Sequence, residues 1–221
     1  DADGSVNETL VYTGSELDKT YTIPGGTTKK SYRFDVTPAS PSGVSPGATV
    51  TSGAVFVVQE AFSGSTTKLN PSITIAGSEG YIDWGDSNID TYDYSAGAGA
   101  LSHTYAGAGT YNFTAYCFDP DNITSFNISN QGLTGTLDTA KLTGLTSTYN
   151  ISLNTSLTAV NTPTACPGSV SLIDFSFCET LGSIDLSNFT GAQGTILGNN
   201  CYLITSIDFP VTSGVVNSLA I

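Results

Sequence analysis

Methionine is absent from this chain of 221 residues, histidine and tryptophan occur once each, and six lysines and arginines stand against nineteen aspartates and glutamates. Each shortage removes a class of function. With a net charge of −13 and no basic cluster, the chain cannot neutralise a row of phosphates, which argues against nucleic acid and anionic membrane surfaces as partners. His103 alone must serve any histidine-based nucleophile scheme and most zinc sites. No apolar run approaches the roughly 18–20 residues that span a bilayer, so no membrane insertion is expected. No signal-like segment opens the chain, and the missing initial Met reads as a processed chain or an excerpt of a longer one.

Cysteine is also scarce. Cys117, Cys166, Cys178 and Cys201 include no CxxC pair and are too few for a disulfide-built scaffold, so they leave the redox compartment open. Only 11% of residues are charged, against 24 glycines and abundant Thr and Ser, a balance that favours short strands and turns over helices. The expected fold class is all-β, with room for one to three domains. Sequons at Asn7, Asn112, Asn122, Asn127, Asn150, Asn154 and Asn188 would be glycosylation acceptors in a eukaryotic secretory protein.

Residues 1–60 read as an N-terminal β region. "TLVYT", "KTYTI" and "SYRFDVT" alternate in short runs, and Tyr32, Phe34 and Val36 would share one face. "PGGTTKK" supplies a turn, and the stretch holding Pro38, Pro41 and Pro46 a loop or linker. "GAVFVVQEAF" follows as a buried strand. Asp1-Ala2-Asp3-Gly4 opens like a calcium loop but lacks the later oxygen ligands, so it reads as an acidic terminus.

Residues 70 to 119 carry a more specific signal. Trp84, Gly85 and Asp86 lie in "YIDWGDS"; His103, Thr104 and Tyr105, then Gly109, Thr110 and Tyr111, lie in "SHTYAGAGTYNFTAYCFD". These segments resemble the polycystic-kidney-disease (PKD) repeat, with Ser87 where that family has glycine. The resemblance implies an immunoglobulin-like β-sandwich over 61–120, whose first strand would come from "AVFVVQE". In "TYNFTAYCF" a period of two puts Tyr111, Phe113, Ala115 and Cys117 on one face, as a half-buried strand requires. His103 falls inside the motif, where a structural hydrogen bond is the expected role.

From residue 121 the chain repeats. An offset of 47 aligns Gly135 with Gly182, Asp138 with Asp185, Thr143-Gly144 with Thr190-Gly191, Pro163 with Pro210 and Ser171-Leu172 with Ser218-Leu219. Within it runs a finer beat of an apolar residue followed by Asn or Asp: Phe126-Asn127, Leu137-Asp138, Tyr149-Asn150, Val160-Asn161, Ile173-Asp174, Ile184-Asp185 and Ile207-Asp208. Two strands per coil of 23 or 24 residues follow. Ile123, Phe126, Ile128, Gln131 and Leu133; Tyr149, Ile151 and Asn154; Val170, Ile173, Phe175 and Cys178; and Ile196 and Cys201 fill the pattern LxxLxLxxN/CxL. This stretch resembles bacterial-type leucine-rich repeats with strands on the outer face as well, which implies a β-solenoid over 121–221. Gln131, Asn154, Cys178 and Cys201 then form an inward structural ladder, with Cys178 and Cys201 either free thiols or bonded to each other. Asp174 and Asp185 fall at opposite faces of a coil and cannot flank one glycosidic bond.

No motif for a phosphate, nucleotide, metal or nucleophile emerges. The expectation is no catalytic residue, no cofactor and no metal, hence no enzyme. The combination of the two modules resembles modular surface proteins of bacteria and structural proteins of their phages. The implied function is a non-catalytic extracellular recognition or adhesion module of a bacterial-type surface protein. A structural subunit of a phage virion appendage or self-assembling extracellular fibre is the alternative, and an accessory module of a secreted hydrolase the second. The implied location is extracellular, on a cell surface or virion. The candidate binding face comprises Ser125, Asn127, Ser129, Thr148, Asn150, Ser152, Asp174, Ser176 and Asn199, meeting a protein or carbohydrate surface or copies of the chain. The sequence stops at "NSLAI" with no charged cap, so this end of the solenoid is expected to be covered by further chain, a second copy or another subunit.

Overall fold

The computed structural model describes residues 31–32, 35–36, 50–51, 55–56, 59–210 and 216–220. Outside them lie Asp1 to Gly4, "TLVYT", "KTYTI", the "PGGTTKK" turn, Phe34, the segment with Pro38, Pro41 and Pro46, and Ile221. The chain divides into two compact units, Asp1–Val57 and Val58–Ile221. In the first, β1 (Ser31–Tyr32) pairs antiparallel with β4 (Val55–Phe56), and β2 (Asp35–Val36) with β3 (Val50–Thr51). "GAVFVVQEAF" is thus shared: Val55 and Phe56 pair with β1, while Gln59 opens β5 of the second unit.

The described residues are all-β, with one 3₁₀ turn, Pro120–Asn122, entered through Pro120, whose missing N–H costs nothing there. The strands of the second unit are β5 (Gln59–Thr66), β6 (Ser72–Ala76), β7 (Glu79–Asp83), β8 (Ile89–Asp93), β9 (Ala98–Ser102), β10 (Tyr111–Cys117), β11 (Ser125–Asn127), β12 (Leu133–Asp138), β13 (Thr148–Asn150), β14 (Ser156–Asn161), β15 (Leu172–Asp174), β16 (Ser183–Asp185), β17 (Gln193–Leu197), β18 (Ser206–Asp208) and β19 (Val216–Ala220). They form a six-stranded sheet, β14-β12-β5-β10-β7-β8, a seven-stranded sheet, β19-β17-β15-β13-β11-β6-β9, and the pair β16-β18. Alternation sets the strand faces. In β10, Phe113, Ala115 and Cys117 are buried while Asn112 is exposed and Thr114 and Tyr116 are half-buried.

The C-terminal part is a β-solenoid of about four turns. Phe126, Tyr149, Ile173, Ile196 and Leu219 are aligned in parallel register along the seven-stranded sheet, 23 or 24 residues apart. The 47-residue offset in the sequence is two coils. On the other side of each coil, Leu137 aligns with Val160 and Ile184 with Ile207. Successive coils meet backbone to backbone at Gly144, Gly168, Gly191 and Gly194, where an added Cβ would overlap the carbonyl oxygens of Asp121, Leu145, Gly168 and Ser171 respectively. The aligned Thr-Gly pairs of the sequence record this backbone approach.

Both large sheets run without a break from the segment before residue 120 into the coils. β5 pairs antiparallel with both β10 and β12, and β6 with both β9 and β11; beyond those joins the pairing turns parallel. One apolar core follows the sheets. The Phe62 ring meets Phe113 at 6.5 Å and Phe126 of the first coil at 4.9 Å, both edge-on. The buried Tyr149 carries its hydroxyl inward but satisfies it on Thr139 Oγ1, at 2.9 Å.

Candidate functional site

The seven-stranded sheet turns one face inward, through Phe126, Tyr149, Ile173 and Ile196, and the alternate residues outward. The outward residues fall into ranks across the strands. One aligns Thr74, Asn127, Asn150, Asp174 and Leu197; another aligns Thr148, Leu172 and Thr195, with Ser125 opposite Ala76 at its far end. Neighbours within a rank are spaced by about 4.8 Å, the separation of paired strands. Ser125, Asn127, Thr148, Asn150 and Asp174 of the candidate face are therefore brought together on one side.

Ser129, Ser152, Ser176 and Asn199 lie two residues further along each coil, at the turn. Asn127 Oδ1 accepts the Ser129 N–H (3.0 Å), Asn150 Oδ1 the Ser152 N–H (3.0 Å) and Asp174 Oδ1 the Ser176 N–H (2.9 Å). The same side-chain-to-backbone turn recurs on the other side of the coil, from Ala140 to Asp138 (3.0 Å) and from Ser187 to Asp185 (2.8 Å). The apolar-then-Asx beat is thereby explained: the apolar residue fills the core, and the Asx oxygen caps the turn that ends the strand. Asp174 and Asp185 sit in different sheets and both serve this purpose. Ser152 and Ser176 are buried, so this rank contributes little open surface.

The sequence missed the apolar members Leu172 and Leu197 and the contribution of β6. Thr195 stands 47 residues, the repeat offset, after Thr148, and was legible on that ground. Thr74 was not, because β6 joins the face by antiparallel pairing from outside the repeat.

Beneath the turns runs the ladder. Asn154 is fully buried; its Oδ1 accepts the N–H groups of Gln131 (3.0 Å) and Leu133 (3.2 Å), and its Nδ2 donates to Ile128 O (3.0 Å) and Ile151 O (2.8 Å). Gln131 bonds backward too, accepting the Ser72 N–H at 2.6 Å. Cys178 Sγ donates to Ile151 O at 3.3 Å and Cys201 Sγ to Phe175 O at 3.1 Å. All four cysteines are free thiols. Burial pushes Cys178 up to about 12, against a hydrogen bond from the Asn154 backbone, and raises Cys201 against one from the Cys178 backbone.

The residue before each ladder position has a left-handed backbone: Asn130 (φ 56°), Leu153 (φ 61°), Phe177 (φ 60°) and Asn200 (φ 59°). Asn suits that conformation, whereas Leu and Phe are strained by it. Leu153 and Phe177 also remain 46% and 40% exposed.

His103 stands apart from this face. Its Nε2 lies 2.8 Å from Asp86 Oδ2, its ring stacks on Trp84 (5.2 Å between centroids, 14°) and meets Tyr105 edge-on at 4.7 Å. Trp84 Nε1 donates to Asp90 Oδ2 at 2.7 Å, and the Tyr105 hydroxyl to Trp84 O at 2.9 Å. Partial desolvation works against the Asp86 carboxylate, but hydrogen bonds from His103 and Asn88 hold its pKa below the ordinary range. Ser87 carries φ 74°, a conformation glycine adopts more readily. An open depression beside His103 is lined by Asn70, Pro71, Ser72, Ser102 and Thr104. Among the described residues, no three His, Cys, Asp or Glu side chains converge as metal ligands.

Compared with protein-family models, curated proteins and solved structures, the chain matches none.

Proposed function

We propose that Val58–Ile221 is a non-catalytic recognition module of an extracellular surface protein, a PKD-like sandwich carrying leucine-rich-type coils. The observation that carries this reading is the outward side of the seven-stranded sheet, where small polar side chains, interrupted by Leu172 and Leu197, stand in regular ranks on a backbone fixed by hydrogen bonds from coil to coil. Such a face meets an extended partner, a protein or carbohydrate surface, rather than enclosing a small molecule. The groups with chemical potential are each tied into structure: Asp174 and Asp185 cap turns, His103 is held by Asp86 and Trp84, and the thiols of Cys166, Cys178 and Cys201 bond to carbonyls.

Thr148→Arg combined with Thr195→Arg tests it, because both threonines are half-exposed near the middle of the face. The full chain is screened against immobilised polysaccharides and cell-surface proteins. The expected result is a ligand whose affinity falls at least about tenfold in the variant with the thermal midpoint unchanged. Undiminished binding by the variant, or cleavage of a substrate by the parent chain, would overturn the reading. Concentration-dependent growth into filaments without any ligand would instead favour the fibre subunit.

A further inference from the structure

We propose that Cys178 and Cys201 form an oxidisable pair, a built-in site at which a small-molecule disulfide introduces a covalent bond between successive coils. The two thiols occupy the same station of adjacent coils, one ladder step apart, and no other two cysteines do. Cys166 bonds to Leu145 O at a different corner, and Cys117 lies in β10, outside the solenoid. Coil spacing of about 4.8 Å falls within the Cα separation of about 4.4–6.8 Å that a disulfide spans.

The local bonds bring the Cys201 sulfur towards Cys178. Phe175 O accepts both the Cys178 N–H (3.3 Å) and the Cys201 Sγ–H (3.1 Å), so the Cys201 thiol already reaches the turn from which Cys178 springs. Closing the bond takes both thiol hydrogens, so Cys178 gives up its bond to Ile151 O and Cys201 its bond to Phe175 O. Exposure sets the order of attack, because Cys201 is the one partly accessible cysteine and the other three are buried.

Cys201 gives up its proton and attacks one sulfur of the reagent. The reagent's S–S bond breaks, and the departing thiolate takes up a proton. Cys178, likewise deprotonated, then attacks the Cys201 sulfur of the mixed disulfide and expels the second small thiol. Two protein S–H bonds and one small-molecule S–S bond are exchanged for one protein S–S bond and two small-molecule S–H bonds. The protein is oxidised and the reagent reduced. Burial raises both thiols, so the exchange is slow at neutral pH and accelerates on the alkaline side. The earlier ladder residues, Gln131 and Asn154, admit no such bond, which confines the cross-link to the third and fourth ladder steps.

The experiment incubates the reduced full chain with oxidised glutathione near pH 8, then quenches with acid and alkylates. Cleavage before aspartate separates residues 174–184, which carry Cys178, from 185–207, which carry Cys201, and from 138–173, which carry Cys166. The expected product has lost two hydrogen atoms, links 174–184 to 185–207, and melts roughly 5–10 °C higher than the reduced chain. Cys201→Ser, which keeps a donor for Phe175 O, should abolish the link and the shift, whereas Cys166→Ser should change neither. Both thiols remaining alkylatable in the folded chain, glutathione stalled on Cys201, or a bond to any other cysteine would overturn the proposal.

Discussion

The side-chain oxygen of Asn154 accepts the backbone N–H of Gln131, 23 residues earlier, at 3.0 Å, inside a core from which water is excluded. With its other bonds this one carboxamide satisfies backbone groups of two coils and fixes their register. Asn154→Leu would orphan at least the N–H of Gln131 and the carbonyl of Ile128. At about 1–3 kcal/mol for each buried unsatisfied group, the variant should lose at least about 2 kcal/mol, measurable as a reduced midpoint of urea unfolding. Loss of less than about 1 kcal/mol would mean that the ladder does not set the register.

At the adjacent corner Leu153 and Phe177 hold the left-handed conformation that Asn130 and Asn200 fill in the flanking coils. Leu153→Asn should raise stability slightly, by no more than about 0.5 kcal/mol, because strain of about 1–2 kcal/mol is relieved while the half-buried side chain gives up apolar area of comparable worth. Phe177→Asn should behave in the same way. A decrease in the thermal midpoint of either would show that these exposed side chains make contacts that outweigh the strain.

Gly191 lies against Gly168 O, where a methyl group would overlap the carbonyl. Gly191→Ala must push two coils apart, and a loss of at least about 2 kcal/mol is expected, against near neutrality for Gly182→Ala, which meets nothing within 4 Å. Equal effects at the two sites, read from parallel unfolding curves, would contradict the coil contact.

Because both large sheets cross residue 120 and Phe62 packs on Phe126, residues 58–221 should unfold in one cooperative step. Trp84 fluorescence reports one end of the unit, and pulsed hydrogen exchange of the Ile173 and Ile196 amides reports the other. Their transitions should coincide within error; separated midpoints would mark two independent domains.

Burial pushes the thiols of Cys117 and Cys166 up to about 11 and that of Cys178 up to about 12. The unfolded thiol titrates near 8.5, so above that pH the folded chain holds more protons than the unfolded chain, and stability falls as pH rises. Each thiol contributes a loss of up to about 1.4 kcal/mol per pH unit, beginning near pH 9 and ending as the folded values are passed. Urea midpoints from pH 7 to 10 should be level below 8 and decline above 9, less steeply in Cys166→Ala. A flat profile to pH 10 would show the thiols to be accessible.

Much of this architecture is legible in the order of residues, for a physical reason. A coil that stacks on its neighbours repeats its requirements every 23 or 24 residues, so apolar core positions, Asx turn caps and the inward ladder each recur and can be counted. Phe126, Tyr149, Ile173 and Ile196 reveal the solenoid because each fills the same pocket. The candidate face was read from the same beat, and Asp174 could be set aside as half of a catalytic pair because the period placed Asp185 on another strand.

What the beat cannot express is pairing between segments that do not repeat. That β5 and β6 are each shared between the two halves of the unit depends on Phe62, Thr66 and Ile75 meeting Phe126 and Leu133 across long stretches of chain. Whether Thr74 joins the outward ranks, whether a threonine-glycine pair marks a contact or a turn, and which thiol faces which carbonyl are decided by packing alone. The sequence by itself determined the all-β class, the coil length and the repeated inward positions Phe126, Tyr149, Ile173 and Ile196. The tertiary structure decided where the repeated and unrepeated parts join, because antiparallel edges pair by shape and register, which no local pattern records.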